Sequence, residues 1–235
     1  MTPVIALVCA MPMELTPLAK RLHLHTTTVR GVELRKGQLD GRPVVALATG
    51  MGTELATSST ERLLDAVDPV SHVVVFGITG AVDDEIEIGA LVRPALVVNS
   101  ETGSEHRPAP LGDEPVHGTM WTTNAMTPAA ELPALIERGV VSLDMETAAI
   151  AACCERRGVP WSVVRSISDR ATDDTIDDEV FHLAHQDGRP DPRAVVRYAA
   201  RHPLRMVRLA WMGLGARKAT IAAAEAAIAG ARTLP

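Results

Sequence analysis

Apolar and polar positions along the chain alternate between short β-branched runs and longer stretches with helical spacing. This alternation is typical of an α/β sheet with helices on its faces. The first run, Val4–Val8, predicts a strand, and the next stretch predicts a helix from about Met13 to Leu22. Asp40-Gly41 is a strong turn signal between two further strand-like runs. The runs Val32–Leu39 and Pro43–Ala48 are therefore predicted to form a hairpin.

Helical and strand-like stretches continue to alternate after the hairpin. Thr127-Pro128 places a capping residue before a first-turn proline, and Gly158 stands where a left-handed residue would end a helix. The last helical pattern runs from about Pro192 to Ala231, with breaks expected near His202-Pro203 and Gly213–Gly215. With no linker or internal repeat, we expect a single domain over residues 1–235. The other predicted elements are helices at about Thr53–Val67, Thr127–Arg138 and Met145–Arg157, and strands at Val73–Phe76, Leu91–Val98, Val140–Leu143 and Pro160–Ile167.

The segment Ser100–Gly118 has no hydrophobic period and is rich in Gly, Pro, Ser and charged residues. A stretch of this length without secondary structure is uncommon inside a compact domain. Where such stretches occur, they are usually functional loops or mobile lids. We therefore expect a functional loop here.

Composition narrows the classes of function. Of the 235 residues, 46% are hydrophobic and 22% are charged, which is typical of a globular protein. The net charge of -6 and the scattered basic residues argue against a nucleic-acid-binding surface, which needs a basic stripe. The Val4–Val8 run is too short to span a bilayer, and no charged segment precedes it as in a signal peptide.

The cysteine and histidine patterns argue against two kinds of site. Cys9, Cys153 and Cys154 are an odd set with two adjacent members, which fits neither a disulfide framework nor a zinc spacing. They are expected to be free thiols in a reducing cytoplasm. The eight histidines are dispersed and form no metal-binding motif, so neither a metal nor a cofactor is predicted.

Three short segments each place a carboxylate at the end of a predicted strand, where open α/β sheets bind their ligands. Taken singly, each acid has a structural explanation. Glu14 and Glu146 suit the first turn of a helix, where the macrodipole favours acids, and Asp169 suits a turn. The combination is more specific than its members. The segments are Ala10-Met11-Pro12-Met13-Glu14, Asp144-Met145-Glu146-Thr147-Ala148-Ala149 and Arg165-Ser166-Ile167-Ser168-Asp169.

In this order and spacing, the three segments resemble the nucleoside phosphorylase and nucleosidase superfamily, and within it the bacterial methylthioadenosine/S-adenosylhomocysteine nucleosidases. Gly77-Ile78-Thr79-Gly80-Ala81 is similar to the family's glycine-rich strand end, and Gly50-Met51-Gly52 to a further turn. The similarity extends to about Asp173. It implies a three-layer α/β/α sandwich around a central mixed, strongly twisted sheet. It also implies hydrolysis of the N-glycosidic bond of a purine nucleoside, with adenine favoured as the base, and a homodimer or higher homo-oligomer.

The resemblance assigns Asp169 and Glu14 to catalysis. Cleavage builds negative charge on the leaving base, which Asp169 would relieve by protonating N7, since desolvation favours the neutral form of a carboxyl. Glu14 would take a proton from the attacking water. Glu146 would accept hydrogen bonds from the ribose hydroxyls, and Met145 would pack beneath the ribose. The other candidate substrate-binding residues are Ile78, Thr79, Gly80, Met126, Arg165, Ser168 and Phe181, the last of which would close the site or belong to the core.

Hydrolysis and phosphorolysis require opposite electrostatics. A phosphate nucleophile needs arginines and free backbone N–H groups. A water nucleophile needs a carboxylate base, whose charge repels phosphate. The first segment holds Glu14 and no arginine, and Gly77–Ala81 lacks the arginine and serine of similar phosphorylases. Hydrolysis is therefore favoured.

Several positions depart from the family's pattern. Ile78 stands where nucleosidases have a serine near the water, and Thr79 would have to supply the hydroxyl instead. Asp144 replaces a glutamate and shortens any reach to the sugar. Met126 stands where a phenylalanine stacks on the purine, so we expect an adaptable and less selective base site. Arg165 resembles an arginine behind the water and ribose, and it would otherwise pair with one of the site glutamates.

Other functions remain open at this point. A phosphorylase is the main alternative, including the hopanoid-associated adenosyl branch, which Asp144-Met145-Glu146 and Arg201-His202-Pro203-Leu204 also resemble. Futalosine hydrolase-like activity is another. Ile78 and Met126 favour a degenerate nucleoside-binding homologue. A dinucleotide-binding interpretation of Gly50-Met51-Gly52 is weak, because the third glycine and the acid after the next strand are missing.

Overall fold

Strand β5 (Val70–Ala81) is the centre of the sheet in the computed structural model, which describes residues 3–170, 185 and 191–235. It pairs in parallel with β1 (Val4–Cys9) and β11 (Trp161–Arg170). Its last two residues pair in antiparallel fashion with β10 (Val140–Asp144). Its residues Val73–Phe76 are fully buried, as expected for a strand covered on both faces. The predicted mixed sheet is confirmed.

The sheet runs in the order β2-β3-β4-β1-β5-β10-β9-β7-β8, with β11 pairing β5 and β6. No helix in the described part of the chain combines the length and apolarity needed to cross a membrane. The other strands are β2 (His25–Val29), β3 (Val32–Leu39), β4 (Arg42–Ala48), β6 (Leu91–Val92), β7 (Leu96–Asn99), β8 (Glu105–His106) and β9 (Thr119–Thr122). The helices are α1 (Pro12–Arg21), α2 (Thr53–Ala66), α3 (Leu132–Glu137), α4 (Thr147–Arg156), α5 (Pro192–Arg201) and α6 (Pro203–Thr233), with a 3₁₀ turn at Ala129–Glu131.

Alternate side chains of β1 bury themselves on opposite faces of the sheet, as the strand period requires. Ala6 and Val8 join one core with residues of α2 and α4. Ile5 and Leu7 join a second core with residues of α1 and α6. Helices therefore cover both faces, and the predicted three-layer α/β/α sandwich is confirmed.

The hairpin of β3 and β4 is confirmed. Asp40 and Gly41 have φ values of 50° and 83°, the two left-handed conformations that a type I′ turn needs. The partner strand β2 was not predicted. It is the edge strand His25–Val29, whose polar threonines and exposed positions give no strong hydrophobic signal.

Strand β11 is longer than predicted. The apolar run ends at Ile167, but the strand continues to Arg170 because a register shift between Ile167 and Asp169 lets pairing with β5 resume. Asp169 therefore lies in a strand, not in the loop expected from the sequence. A bulge of this kind redirects a side chain while keeping the backbone paired.

The C-terminal helical region breaks once, not twice. Helix α5 ends at Arg201 and α6 starts at Pro203, as predicted, but α6 runs through Gly213–Gly215 without interruption. A Cβ on Gly215 would lie 3.2 Å from Ile88 Cγ2 and 3.4 Å from the Ser168 carbonyl oxygen. Gly215 thus permits a close approach of α6 to the sheet. This contact explains why a glycine stands inside an unbroken helix.

Two predicted helices are shorter than expected, and one predicted strand is divided. Helix α4 begins at Thr147 instead of Met145, and the predicted helix 127–138 is reduced to a 3₁₀ turn and α3. Leu91–Val98 forms β6 and β7 with an irregular stretch between them that contains Pro94. Proline has no backbone N–H to donate to a ladder, which accounts for the interruption.

Candidate active site

A cavity of about 330 Å³ lies where the loops after β1, β4, β9 and β10 meet the last residues of β5 and β11. This volume falls in the usual range for small-molecule sites. Phe181 lies outside the described residues. All the other predicted site residues line this one cavity: Glu14, Ile78, Thr79, Gly80, Met126, Met145, Glu146, Arg165, Ser168 and Asp169.

Some lining residues were not among the candidates from the sequence. Met11 and Met51 belong to segments that the sequence had singled out. They were missed because the candidates in those segments did not include every residue. Thr123, Ala125 and Thr127 of the β9–α3 loop were missed, although their neighbour Met126 was a candidate, because β9 itself was not predicted. The additional lining residues are Ala10, Met11, Met51, Thr123, Ala125, Thr127, Leu143 and Asp144. The residues that line the cavity do not include any from the segment Ser100–Gly118.

The Glu14 side chain is fully buried in the first turn of α1. Its Oε2 accepts a hydrogen bond from Met11 N at 2.7 Å, and its Oε1 accepts one from Ile78 N at 2.8 Å. These bonds fix the carboxylate between the ends of β1 and β5. Desolvation raises the pKa of Glu14 from its ordinary value of 4.5, although Arg165 and the backbone donors act in the opposite direction.

Glu146 lies just before α4 and reaches the N-terminus of α2. Its Oε1 accepts a hydrogen bond from Gly52 N at 2.9 Å, and its Oε2 lies 3.5 Å from Arg165 Nη2. Desolvation raises the pKa of the Glu146 carboxyl, and the nearby Asp144 adds to the rise. Among the described residues, Oε2 has only this one loose contact with Arg165, so it can accept from a ligand hydroxyl.

Arg165 is one of the largest fully buried side chains of the described residues. Its Nη2 bonds Asp144 Oδ2 at 2.7 Å, and its Nη1 donates to the Ile78 carbonyl at 3.1 Å. Glu14 Oε1 is farther away, at 3.9 Å from Nη1. Desolvation alone would lower the pKa of Arg165, but the three acids around it raise the pKa above its ordinary value. The alternative of an ion pair behind the site is therefore realised, with Asp144 as the nearest partner.

Asp144 does not extend toward a sugar site. Its Oδ2 accepts from Arg165 and from Thr147 N at 2.8 Å, and its Oδ1 accepts from Thr122 Oγ1 at 2.6 Å. The bond to Thr147 N satisfies a donor in the first turn of α4, which explains why that helix begins at Thr147. The sequence led us to expect that this aspartate shortens any reach to the sugar, and both of its oxygens are occupied by protein donors.

Asp169 lies beside Gly80 at the bulge of β11. A Cβ on Gly80 would lie 3.3 Å from Asp169 Oδ2, so the glycine leaves room for the carboxyl. The Ser168 hydroxyl donates a short hydrogen bond to Asp169 Oδ1. Thr79 Oγ1 donates to the Leu143 carbonyl at 2.6 Å, so its proton is not available to orient a water as the sequence had suggested.

The cavity wall is rich in methionine. Met11, Met51, Met126 and Met145 come from four different loops, and Met126 is the most open of them with 42% of its surface exposed. Unbranched thioether side chains adapt to differently shaped apolar groups. The site therefore combines fixed carboxylates with a deformable apolar wall.

The cavity has the parts of a general acid–base site. It offers carboxylates from α1, the β10–α4 loop and β11, and its one lining cation among the described residues is Arg165. In the described part of the chain, no group of three or more His, Cys, Asp and Glu is arranged to hold a metal ion. A family model for the phosphorylase superfamily matches residues 4–117 and 110–201.

The chain belongs to the phosphorylase superfamily. The superfamily resemblance drawn from the three acidic segments is thereby confirmed. Among curated members, the chain is similar to the 5'-methylthioadenosine/S-adenosylhomocysteine nucleosidases of Shewanella piezotolerans and a Marinomonas species, with 26% identity to each. These alignments cover 73% and 72% of this chain and 88% and 86% of the relatives.

Several solved structures share the fold of this chain. Futalosine hydrolase of Helicobacter pylori has a TM-score of 0.73 at 17% identity, with 99% of each chain covered. A mutant Helicobacter pylori methylthioadenosine nucleosidase with 5'-methylthioadenosine in its active site has a TM-score of 0.72 at 16% identity, with 100% of each chain covered. The Colwellia psychrerythraea nucleosidase in complex with adenine has a TM-score of 0.70 at 21% identity, covering 98% of this chain and 96% of that one.

Proposed function

We propose that this superfamily member hydrolyses the N-glycosidic bond of an adenine nucleoside. The observation that carries the proposal is the meeting of Glu14, Glu146 and Asp169 in one cavity, although they come from distant parts of the chain. The names of the curated relatives, which are nucleosidases for 5'-methylthioadenosine and S-adenosylhomocysteine, point to the same reaction.

Each acid has a chemical role in this reaction. Asp169 protonates the leaving base at N7, which relieves the negative charge that builds up as the bond breaks. Glu14 takes a proton from the attacking water, and its two backbone hydrogen bonds hold it in place for this transfer. Glu146 accepts hydrogen bonds from the ribose hydroxyls through Oε2, which lies 3.5 Å from Arg165 Nη2.

The remaining candidate residues line the cavity around these acids. Met145 packs beneath the ribose, and Met126 covers the purine from the exposed rim. Ser168 bonds Asp169 and holds its carboxyl in the cavity. Gly80 leaves the space that this carboxyl occupies.

Hydrolysis is favoured over phosphorolysis by the charge around the nucleophile position. Arg165 is surrounded by Asp144, Glu146 and Glu14, so its single positive charge is more than compensated. A phosphate dianion near Glu14 would meet net negative charge, whereas water would meet a hydrogen-bond acceptor. The Ile78 N–H, which could have bound phosphate, already donates to Glu14.

The structural similarities and the methionine wall of the cavity bear on the substituent at the 5′ carbon of the substrate. The structure of futalosine hydrolase matches this chain as well as the nucleosidases do, so futalosine belongs in the substrate panel. The adenosyl substrate of the hopanoid-associated branch is a further candidate, since it carries a large apolar 5′ group. The methionine wall suits an apolar substituent.

The test is release of the free base from methylthioadenosine, adenosylhomocysteine, adenosine, inosine and futalosine, each with and without phosphate. We expect release without phosphate and no stimulation by it. Release only in the presence of phosphate would contradict a water nucleophile. Tight nucleoside binding without release would indicate a binding protein instead. The Glu14→Gln variant is the control, because it should bind nucleoside and release almost no base.

A homodimer or higher homo-oligomer and a cytoplasmic location are part of the same proposal. The first rests on the resemblance to oligomeric nucleosidases. The second is supported by Cys9, Cys153 and Cys154, which are all free. Light scattering of the purified protein and fractionation of cells that produce it test the two statements separately.

A further inference from the structure

Asp144 is the nearest anionic partner of the buried Arg165, although the proposed chemistry does not use it. We propose that Asp144 is a positioning residue that holds the Arg165 guanidinium away from Glu14 and Glu146, so that these two carboxylates stay available to water and ribose. This role rests on the proposed function, because that function requires Glu14 and Glu146 to be only loosely paired with Arg165.

The distances show an unequal sharing of the guanidinium. Arg165 Nη2 lies 2.7 Å from Asp144 Oδ2, which is the length of a charge-assisted hydrogen bond. The same Nη2 lies 3.5 Å from Glu146 Oε2, and Nη1 lies 3.9 Å from Glu14 Oε1. Of the three acids, only Asp144 makes a direct bond with Arg165.

Asp144 is itself held rigidly by protein donors. Thr122 Oγ1 on β9 donates to its Oδ1 at 2.6 Å, and Thr147 N at the start of α4 donates to its Oδ2 at 2.8 Å. The Thr147 hydroxyl bonds the same Oδ2 and also accepts from Arg165 Nη2 at 3.0 Å. Thr122 is fixed in turn by Ala148 N at 3.1 Å. The acid therefore cannot turn toward a ligand without breaking buried hydrogen bonds, which is costly.

The charges around Arg165 explain what Asp144 prevents. The titratable groups that face the guanidinium are Asp144, Glu146, Glu14 and Cys9. Burial raises the pKa of the Cys9 thiol well above its ordinary value, so it is neutral. A buried guanidinium needs a close anionic partner. Without Asp144, Arg165 would have to close on Glu146 or Glu14 and occupy the oxygens that ribose and water require.

The first experiment compares Asp144→Asn with the wild type by measuring kcat/KM against pH for adenine release. Loss of the Asp144 charge lets Arg165 stabilise the ionised glutamates more strongly. We therefore expect the acid limb to move to lower pH by about one unit. Plateau kcat/KM should fall roughly ten- to a hundredfold, because the paired glutamates are withdrawn from the substrate.

Two variants separate positioning from a merely structural role. Asp144→Glu restores the charge, so its acid limb should lie close to that of the wild type. Thr122→Val removes two buried hydrogen bonds, one to Asp144 and one from Ala148 N, but leaves every charge and the Oδ2 contacts of Asp144 in place. It should therefore lower thermal stability without moving the limb. An acid limb that stays in place in Asp144→Asn, or that moves equally in Asp144→Glu, overturns the proposal.

A readout without activity keeps this test independent of the proposed function. Carboxyl ¹³C NMR of glutamate-labelled protein follows the titration of Glu14 and Glu146, with Glu14→Gln and Glu146→Gln as assignment variants. In Asp144→Asn both midpoints should shift down, and unchanged midpoints contradict the positioning role. If the wild type releases no base from any nucleoside, the proposed function fails, while the NMR result still decides the role of Asp144.

If Asp144→Asn does not fold, Thr147→Val takes its place. This variant keeps every charge but removes the hydroxyl that bonds both Asp144 and Arg165. We expect a smaller downward shift of the same midpoints, because the guanidinium is held less firmly. Midpoints identical to those of the wild type would count against the proposal.

Discussion

Gly77 lies directly against the Glu14 carboxylate. A Cβ on residue 77 would be 2.3 Å from Glu14 Oε1 and 3.0 Å from Arg165 Nη1. The backbone of Gly77 also has a φ of 143°, a conformation that residues with a side chain rarely adopt. Ile78, the next residue of β5, can donate its N–H to Glu14 only because no side chain occupies position 77.

Replacing Gly77 by alanine should therefore displace Glu14 and remove most of the hydrolytic activity. We expect kcat to fall at least roughly a hundredfold, since a displaced base no longer reaches the water. Steady-state base release measures the loss. Gly112→Ala is a matched control, because Gly112 has a φ of 77° and no neighbour within 4 Å of an added Cβ. Similar activity of the two variants would show that the contact with Glu14 is unimportant.

Asp169→Asn should separate binding from turnover. The amide keeps the shape of the side chain but cannot protonate the leaving base, so kcat should fall by roughly two to four orders of magnitude. Calorimetric binding of methylthioadenosine should change little, because the ribose contacts remain. Asp113→Asn at an exposed position controls for the loss of a negative charge. Near-normal turnover of Asp169→Asn would mean that another group is the acid.

The activity should decrease on mild acidification. Burial raises the pKa of Glu14 above 4.5 and that of Glu146 to about 7, and both groups act as carboxylates in the proposed reaction. Protonation therefore removes the base and weakens the ribose contact as pH falls through this range. We expect the acid limb of kcat/KM between pH 4.5 and about 7, as the combined titration of the two groups. A limb at or below pH 4.5 would contradict this.

His72 should make the fold sensitive to acid. Burial lowers the pKa of His72 from 6.5 to about 4, and its Nε2 pairs with Ser162 Oγ at 2.8 Å. Below pH 6.5 the unfolded chain takes up a proton that the folded chain refuses, so stability is lost between pH 6.5 and about 4. We expect a loss of about 1 to 2 kcal/mol, allowing for partial solvent screening.

Urea unfolding of the wild type and His72→Gln across this pH range measures the effect. The buried glutamates have the opposite effect on stability, but they contribute equally to both proteins. The difference between the two unfolding free energies therefore isolates His72. The free-energy difference should be constant above pH 7 and change steadily as the pH falls toward 4. A difference that is independent of pH would show that His72 does not titrate as its burial requires.

The sequence predicted which residues line the cavity better than it predicted the contacts among them. The three acidic segments were identified because each lies at the end of a predicted strand, and strand ends meet at one edge of a sheet. Gly77–Ala81 was identified from its resemblance to the family's glycine-rich strand end. The contacts of Asp144 were not predicted. Its partners Thr122 and Arg165 are 22 and 21 residues away, and no local pattern links an aspartate to such distant donors.

The fold was predicted where hydrophobic periodicity is strong and was missed where it is weak. The apolar run of β5 and the hairpin turn at Asp40-Gly41 were found from local signals alone. Strand β2 is polar and exposed on one edge, so its pairing depends on β3 rather than on its own sequence. Gly213–Gly215 was predicted to break a helix because glycine lowers helix propensity, but tertiary packing overrode that preference.

The alanines of α6 determine what a shorter chain would do. Ala224, Ala227 and Ala231 are almost fully buried, and they let this helix lie close against the sheet strands that carry Leu7 and Val74. Truncation before Pro203 would expose that apolar surface to solvent, and the truncated molecules would aggregate through it. Helix α6 therefore keeps the protein soluble as well as completing its fold. Proteolytic removal of this helix would inactivate the enzyme.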